Sequence, residues 1–289
     1  MERATVNSVE LAYELLGDGP PLALTAYGWD FPGETMRLLA EDLSSDYRVL
    51  IWDRRNSGSS GIAVSGACSE EEVFADDLYS LLDHLGMLPA IVGGVSGGGI
   101  VSEVFAYKHP ESTTAVLVVR VPNDSPEFFR NKADNRYFEP AKLAEERGMS
   151  AVLEVEGNPW SWLANRSEQD RRHLESLRPS VFAAVLRSWG RIQPGGLPHF
   201  GGLSPEQLRT IHAPTLILTG YDSGHPRETG DQLHALLANS ELHYAEDIFT
   251  ESQIEQFQRG MEEDHVTGPP LLVAGHAPAI RGFLNSLVL

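Results

Sequence analysis

Residues Gly94-Val95-Ser96-Gly97-Gly98 spell G-x-S-x-G between an apolar run, Ala90 to Val95, and an amphipathic one, Gly97 to His109. The first run reads as a buried strand. The second reads as a helix with Ile100, Val101, Val104 and Phe105 on one side. A serine on so sharp a strand-to-helix turn takes strained backbone angles, and neighbouring chain passes close to the residues two before and two after it. Side chains there would collide, which explains glycine at 94 and 98. The following helix points its positive end at the serine. A phosphate-binding loop is the competing expectation. A dinucleotide fingerprint needs G-x-G-x-x-G, an order that Gly94 and Gly97 do not supply, and the Walker G-K-[ST] is absent. The pattern predicts a nucleophile elbow at Ser96.

The surrounding rhythm fits. Val9 to Leu16, Leu22 to Ala26, Arg48 to Trp52 and Ala115 to Val121 read as strands, with helical stretches at Gly33 to Leu43 and Glu70 to Leu85. Such alternation predicts an α/β protein, a mostly parallel sheet with helices on both faces. The rhythm breaks at Pro122 and resumes with a strand at Thr215 to Thr219, a helix at Arg227 to Ala238 and a strand at Glu241 to Glu246. Three segments follow: a first core part at 1–122, a helical insertion at 123–204 and a second core part at 205–289.

Composition narrows the function classes. The 289 residues carry 22 Lys+Arg against 41 Asp+Glu, a net charge of −19. That surface repels phosphate backbones and anionic headgroups, so neither nucleic acid nor a membrane is expected as partner. No apolar stretch reaches the length of a spanning helix, and the start lacks the basic and apolar regions of a signal peptide. Cys68 is the one cysteine, which forbids an internal disulfide and fits a cytoplasmic setting. With no H-E-x-x-H and no clustered ligands, neither a metal nor a cofactor is expected.

These motifs resemble those of the α/β-hydrolase superfamily, over nearly the whole chain. Asp53-Arg54-Arg55-Asn56-Ser57-Gly58-Ser59-Ser60 is similar to that family's D-x-R-G-x-G-x-S loop, with Asn56 in place of glycine. Asn also tolerates left-handed angles. Ala26-Tyr27-Gly28-Trp29-Asp30 stands where the family often has H-G-x-x, Tyr27 replacing histidine. The resemblance implies Ser96 as nucleophile, an oxyanion hole of the Trp29 and Gly97 amides, and an insertion that forms a helical cap. It implies Asp222 as the acid, four residues before Pro226, with Asp124 in reserve. It implies His276 as the base, in Gly275-His276-Ala277-Pro278 ahead of a final helix at Ile280 to Leu287. His265 competes through its spacing to Phe283-Leu284. If neither of these is the base, His225 is next to be considered, although its place just before Pro226 favours a loop role.

The expected activity is cofactor-independent serine hydrolysis of an ester, a lactone or a related small carbonyl compound through an acyl-enzyme. A small apolar or aromatic substrate fits the aromatics of the insertion, Trp160, Trp162 and Trp189 among them. Two other readings stay open: a lyase or cyclase on the same fold, and a small-molecule-binding protein with an incomplete triad. Arg120, ending an apolar strand, either meets a substrate oxygen or pairs with an acid of the insertion.

Overall fold

The computed structural model describes residues 1–26, 32–66, 68–123, 133–190, 203–255 and 273–287. Strands β1 (Glu2–Val6), β2 (Val9–Leu16), β3 (Pro21–Thr25), β4 (Arg48–Trp52), β5 (Ala90–Val95), β6 (Thr113–Val119), β7 (Thr215–Leu218) and β8 (Ser240–His243) form one sheet. Their order is β1-β2-β4-β3-β5-β6-β7-β8. The β1–β2 and β2–β4 pairs are antiparallel, and the remaining pairs are parallel.

Helices α1 (Arg37–Leu43), α2 (Glu70–His84) and α3 (Gly97–Lys108) precede or flank the central strands. Between β6 and β7 lie α4 (Glu139–Arg147), α5 (Met149–Leu153), α6 (Pro159–Ala164), α7 (Glu168–Ser176) and α8 (Pro179–Trp189). After them come α9 (Pro205–Leu208), α10 (Arg227–Leu236), α11 (Ala245–Ile248) and α12 (Ala277–Ser286). None of the described helices is long and apolar enough to cross a membrane.

Two cores follow from strand alternation. Val92, Val116 and Val118 pack with Leu78, Leu81, Val104 and Phe105 of α2 and α3. Their neighbours Ile91, Ala115 and Leu117 pack on the other face with Leu39 and Leu43 of α1 and Ile280 and Leu284 of α12. Helix α2 begins with a capping box. Ser69 Oγ accepts from Glu72 N–H at 3.2 Å, and Ser69 N–H donates to Glu72 Oε2 at 2.9 Å.

The helices between β6 and β7 bury a third cluster of their own, including Tyr137, Trp160, Phe182, Leu186 and Trp189. Two polar clamps tie them to the sheet's side of the molecule. Arg136 donates to Glu70 at 2.8 and 2.9 Å, and the Tyr137 hydroxyl donates to the same carboxylate at 2.6 Å. Arg166 Nη1 donates to the carbonyls of Gly58 and Ser60, at 2.7 and 3.1 Å. The Glu70 clamp joins a π-helical turn, Asp134–Phe138, to the first turn of α2.

Glu103 of α3 stands apart. It is 1% exposed, and neither carboxylate oxygen has a hydrogen-bond partner among the described residues. Burial pushes this carboxyl well above its ordinary 4.5. A raised folded-state value favours the folded protein below the unfolded value, and that contribution is lost as pH rises through the folded one. Glu103→Gln is therefore expected to gain thermal stability over the wild type progressively as pH rises above the ordinary glutamate value of 4.5. Melting curves of the two proteins that stay parallel across that range would contradict this.

Candidate active site

The elbow takes the shape its glycines allow. Ser96 sits at φ 53 and ψ −119, between β5 and α3. A Cβ on Gly94 would lie 2.3 Å from the Gly98 carbonyl carbon, and one on Gly98 would lie 2.2 Å from Thr25 O. Ser96 N–H donates to Val119 O at 2.8 Å, tying the elbow to the end of β6. Gly97 opens α3, so its amide belongs to the helix's positive end.

The loop after β4 is held by its own set of hydrogen bonds. Asp53 Oδ1 accepts from Gly33 N–H at 2.7 Å, and Oδ2 from Ser59 N–H at 2.6 Å. Burial pushes this carboxyl up, against the pull of those two amides. Asn56 adopts φ 62, the left-handed angle for which the family pattern has glycine. Arg55 grips Asp77 at 2.6 and 2.7 Å, both side chains buried. Asp53 thus fixes Gly33, which follows the segment holding Trp29.

The structure brings Asp222 towards Ser96, but the imidazole between them is that of His225. His225 Nε2 lies 3.0 Å from Ser96 Oγ. Its Nδ1 lies 2.9 Å from Asp222 Oδ1. The turn that carries both is tight: His225 N–H donates to Asp222 O at 2.9 Å, and the two residues form an isolated antiparallel bridge. Gly220 permits it, since a Cβ there would lie 2.3 Å from His225 Cβ. Asn123, just past β6, braces the turn by donating its N–H to Gly224 O at 2.7 Å and its Nδ2 to Ser223 O at 2.8 Å.

Burial alone would raise the Asp222 carboxyl. The hydrogen bond and charge of His225, the Arg120 guanidinium and Gly224 N–H together hold it well below the usual carboxylate range. Among the described residues, the acid that Arg120 pairs with is Asp222, not one of the helices beyond β6.

The expectation that His276 meets Ser96 is corrected. His276 is the residue before α12, 1% exposed, with Nδ1 3.3 Å from Val273 O and its ring edge-on to Phe249 at 4.9 Å. It is packed with the helix start that its G-H-x-P context signals. His225 was legible as a histidine in a loop, and the Asp222-Ser223-Gly224-His225 turn signature could have marked it as facing the acid. Trp29, Asp124 and His265 lie outside the described residues. Cys68 takes no part in this contact set, and burial pushes its thiol up, away from the thiolate a nucleophile needs.

Beside Pro32 lies a mostly apolar cavity of about 670 Å³, bounded by Leu153, Pro159 and Trp162, with Glu154 and Glu156 also on its wall. Trp162 is 49% exposed, unlike the buried Trp160 and Trp189. Among the described residues, no group of histidine, cysteine or carboxylate side chains could hold a metal ion.

A family model described as the alpha/beta hydrolase fold matches residues 23–247. The chain is 32% identical over 129 residues to a putative non-heme chloroperoxidase of Synechocystis sp., covering 42% of this chain and 46% of that protein. It is 29% identical over 124 residues to a pimeloyl-[acyl-carrier protein] methyl ester esterase of Chromobacterium violaceum, covering 43% and 44%. The chain spans 41% to 65% of the length of the first curated relatives it matches. Among solved structures, a thermophilic esterase from Thermogutta terrifontis superposes with a TM-score of 0.62 at 24% identity, over 99% of this chain and 98% of that one.

Proposed function

The chain belongs to the α/β-hydrolase family, and from that premise we propose that it is a cofactor-independent serine hydrolase of an ester, a lactone or a related small carbonyl compound. One observation carries the reading: an imidazole stands 3.0 Å from the elbow serine and 2.9 Å from a carboxylate. In the Nδ1–H tautomer, His225 donates to Asp222 and leaves Nε2 to accept the Ser96 proton.

Ser96 Oγ attacks the substrate carbonyl as its proton passes to Nε2. The tetrahedral oxyanion is held by the Gly97 amide, with the Trp29 amide as the second donor, each worth about 3 kcal/mol or more. Collapse expels the leaving alcohol, which takes the proton from Nε2. Water then attacks the acyl-enzyme, giving its proton to Nε2, and the acid leaves as Ser96 is restored. Asp222 stays ionised throughout, because its surroundings hold its carboxyl low.

The helices between β6 and β7 serve as a cap in this reading. They leave the sheet at the strand end beside Ser96 and are pinned to α2 and to the loop after β4. The aromatic side chains of these helices support an apolar or aromatic substrate portion; the lining of the cavity at Pro32, Leu153 and Trp162 includes none of Ser96, Asp222 and His225. The contacts of His225 with Ser96 and Asp222 support the hydrolase over a binding protein with an incomplete triad.

A fluorophosphonate probe tests the reading. The wild type is expected to be labelled at one site, with labelling and hydrolysis of short activated esters abolished in Ser96→Ala. A folded wild-type protein that takes no label overturns it. A lyase or cyclase would instead turn over its substrate with Ser96 unmodified.

A further inference from the structure

Arg120 occupies a costly place. It follows β6 at φ 55, its side chain is 5% exposed, and its guanidinium lies 5.4 Å from the centre of the Tyr221 ring. A β-strand residue with ordinary angles would point elsewhere, so the backbone is bent to aim this side chain at the Asp222 turn.

Its hydrogen bonds are divided unusually. Arg120 Nη2 donates to Asp222 Oδ2 and also lies 3.1 Å from His225 Nδ1. The same Nδ1 is 2.9 Å from Asp222 Oδ1. A neutral imidazole nitrogen has either a hydrogen or a lone pair. With hydrogen on Nδ1, His225 donates to Asp222, and Nε2 carries the lone pair that takes the Ser96 proton. With Nδ1 bare, it accepts from Arg120, and Nε2–H points at Ser96 Oγ without any means of accepting its proton.

An arginine placed only to neutralise Asp222 would use both prongs of its fork on both carboxylate oxygens. Here Asp222 Oδ1 accepts from Gly224 N–H at 2.9 Å and faces His225, while Arg120 Nε is buried with no partner among the described residues. One nitrogen of the guanidinium is shared between acid and base instead.

We propose that Arg120 is a positioning residue that sets the tautomer of His225, keeping part of the resting population in the form whose Nε2–H faces Ser96 and leaves the serine unactivated. The proposal rests on Ser96, His225 and Asp222 acting together as a triad. Arg120 is then a brake on nucleophile activation, released to the extent that the guanidinium withdraws from Nδ1.

The test reads the tautomer directly, by ¹⁵N NMR of the imidazoles at a pH where His225 is neutral, its signals assigned by their loss in His225→Gln. In the wild type, Nδ1 is expected to show substantial unprotonated character. In Arg120→Met it shifts to the protonated form, and fluorophosphonate labelling of Ser96 accelerates about fivefold. Arg120→Lys, which keeps a cationic donor, stays near the wild type in both readouts. Arg120→Gln serves in place of Arg120→Met if the latter fails to fold. Unchanged His225 nitrogen shifts in the folded variant overturn the proposal, as does slower labelling, the result expected of a merely structural arginine. Failure of the serine reading is separate: it shows as an unlabelled wild type, whereas the tautomer measurement needs no labelling.

Discussion

His225→Ala is expected to lower kcat/KM on an activated ester, and the rate of fluorophosphonate labelling, by about 10⁴-fold. That corresponds to about 5.5 kcal/mol of lost transition-state stabilisation. The size follows from position, because His225 touches both Ser96 Oγ and Asp222 Oδ1. His276→Ala should behave differently. Its ring is buried against Phe249 and Val273, so truncation leaves a cavity and costs about 1–3 kcal/mol of stability. Serine reactivity in that variant is expected to stay within about tenfold of the wild type, a shift small beside the loss of a triad member. A third variant, His265→Ala, completes the measurement. If His265→Ala loses reactivity while His225→Ala keeps it, the base is His265, and the contact at His225 belongs to a resting arrangement.

The contrast between these histidines shows what a linear sequence makes legible. The elbow was readable because its constraint is local: two glycines and a serine between a strand and a helix leave little freedom. Asn56 was readable for the same reason, one residue at one left-handed angle. The helical excursion announced itself by a break in alternation at Pro122. The base was not local. Gly275-His276 before a helix matched a sequence context, but that context marks a helix start as well as an active-site loop, and here the side chain turns inward.

His225 required knowing that Asp222 and His225 close into a bridge, which depends on Gly220 and on bracing by Asn123 from another strand's end. Strand β1 escaped notice because only Ala4 and Val6 are buried, and its turn into β2 uses Asn7 and Ser8 at φ 47 and 62 in place of a glycine. The strand expected at Glu241 to Glu246 ends earlier, at His243, because Tyr244 caps helix α11. Arg120 was noticed as out of place, yet its partner lay a hundred residues away in sequence.

The elbow itself supplies the second large effect. Gly98→Ala is expected to destabilise the protein by about 3 kcal/mol or more, and to abolish labelling of Ser96 in whatever fraction remains folded. The added Cβ would lie 2.2 Å from Thr25 O and 2.6 Å from Ala26 O, backbone atoms at the end of β3. A flexible side chain could swing aside, but these carbonyls cannot. Thr25 is paired in register with Gly94 of β5, so moving it opens the sheet at the strand ends that carry the elbow. Pushing α3 away instead displaces Gly97, whose amide the proposed oxyanion hole needs. Either response separates Ser96 from His225, and the 3.0 Å contact tolerates little of that. Gly86→Ala is the internal control. Its Cβ would meet nothing within 4 Å, and its φ of 63 costs a side chain only about 1 kcal/mol. Thermal melts should therefore place Gly98→Ala well below Gly86→Ala, with labelling kept in the control alone. Equal melting points, or full labelling of Gly98→Ala, would mean that the close approach of β3 to the elbow is not what holds Ser96 in place.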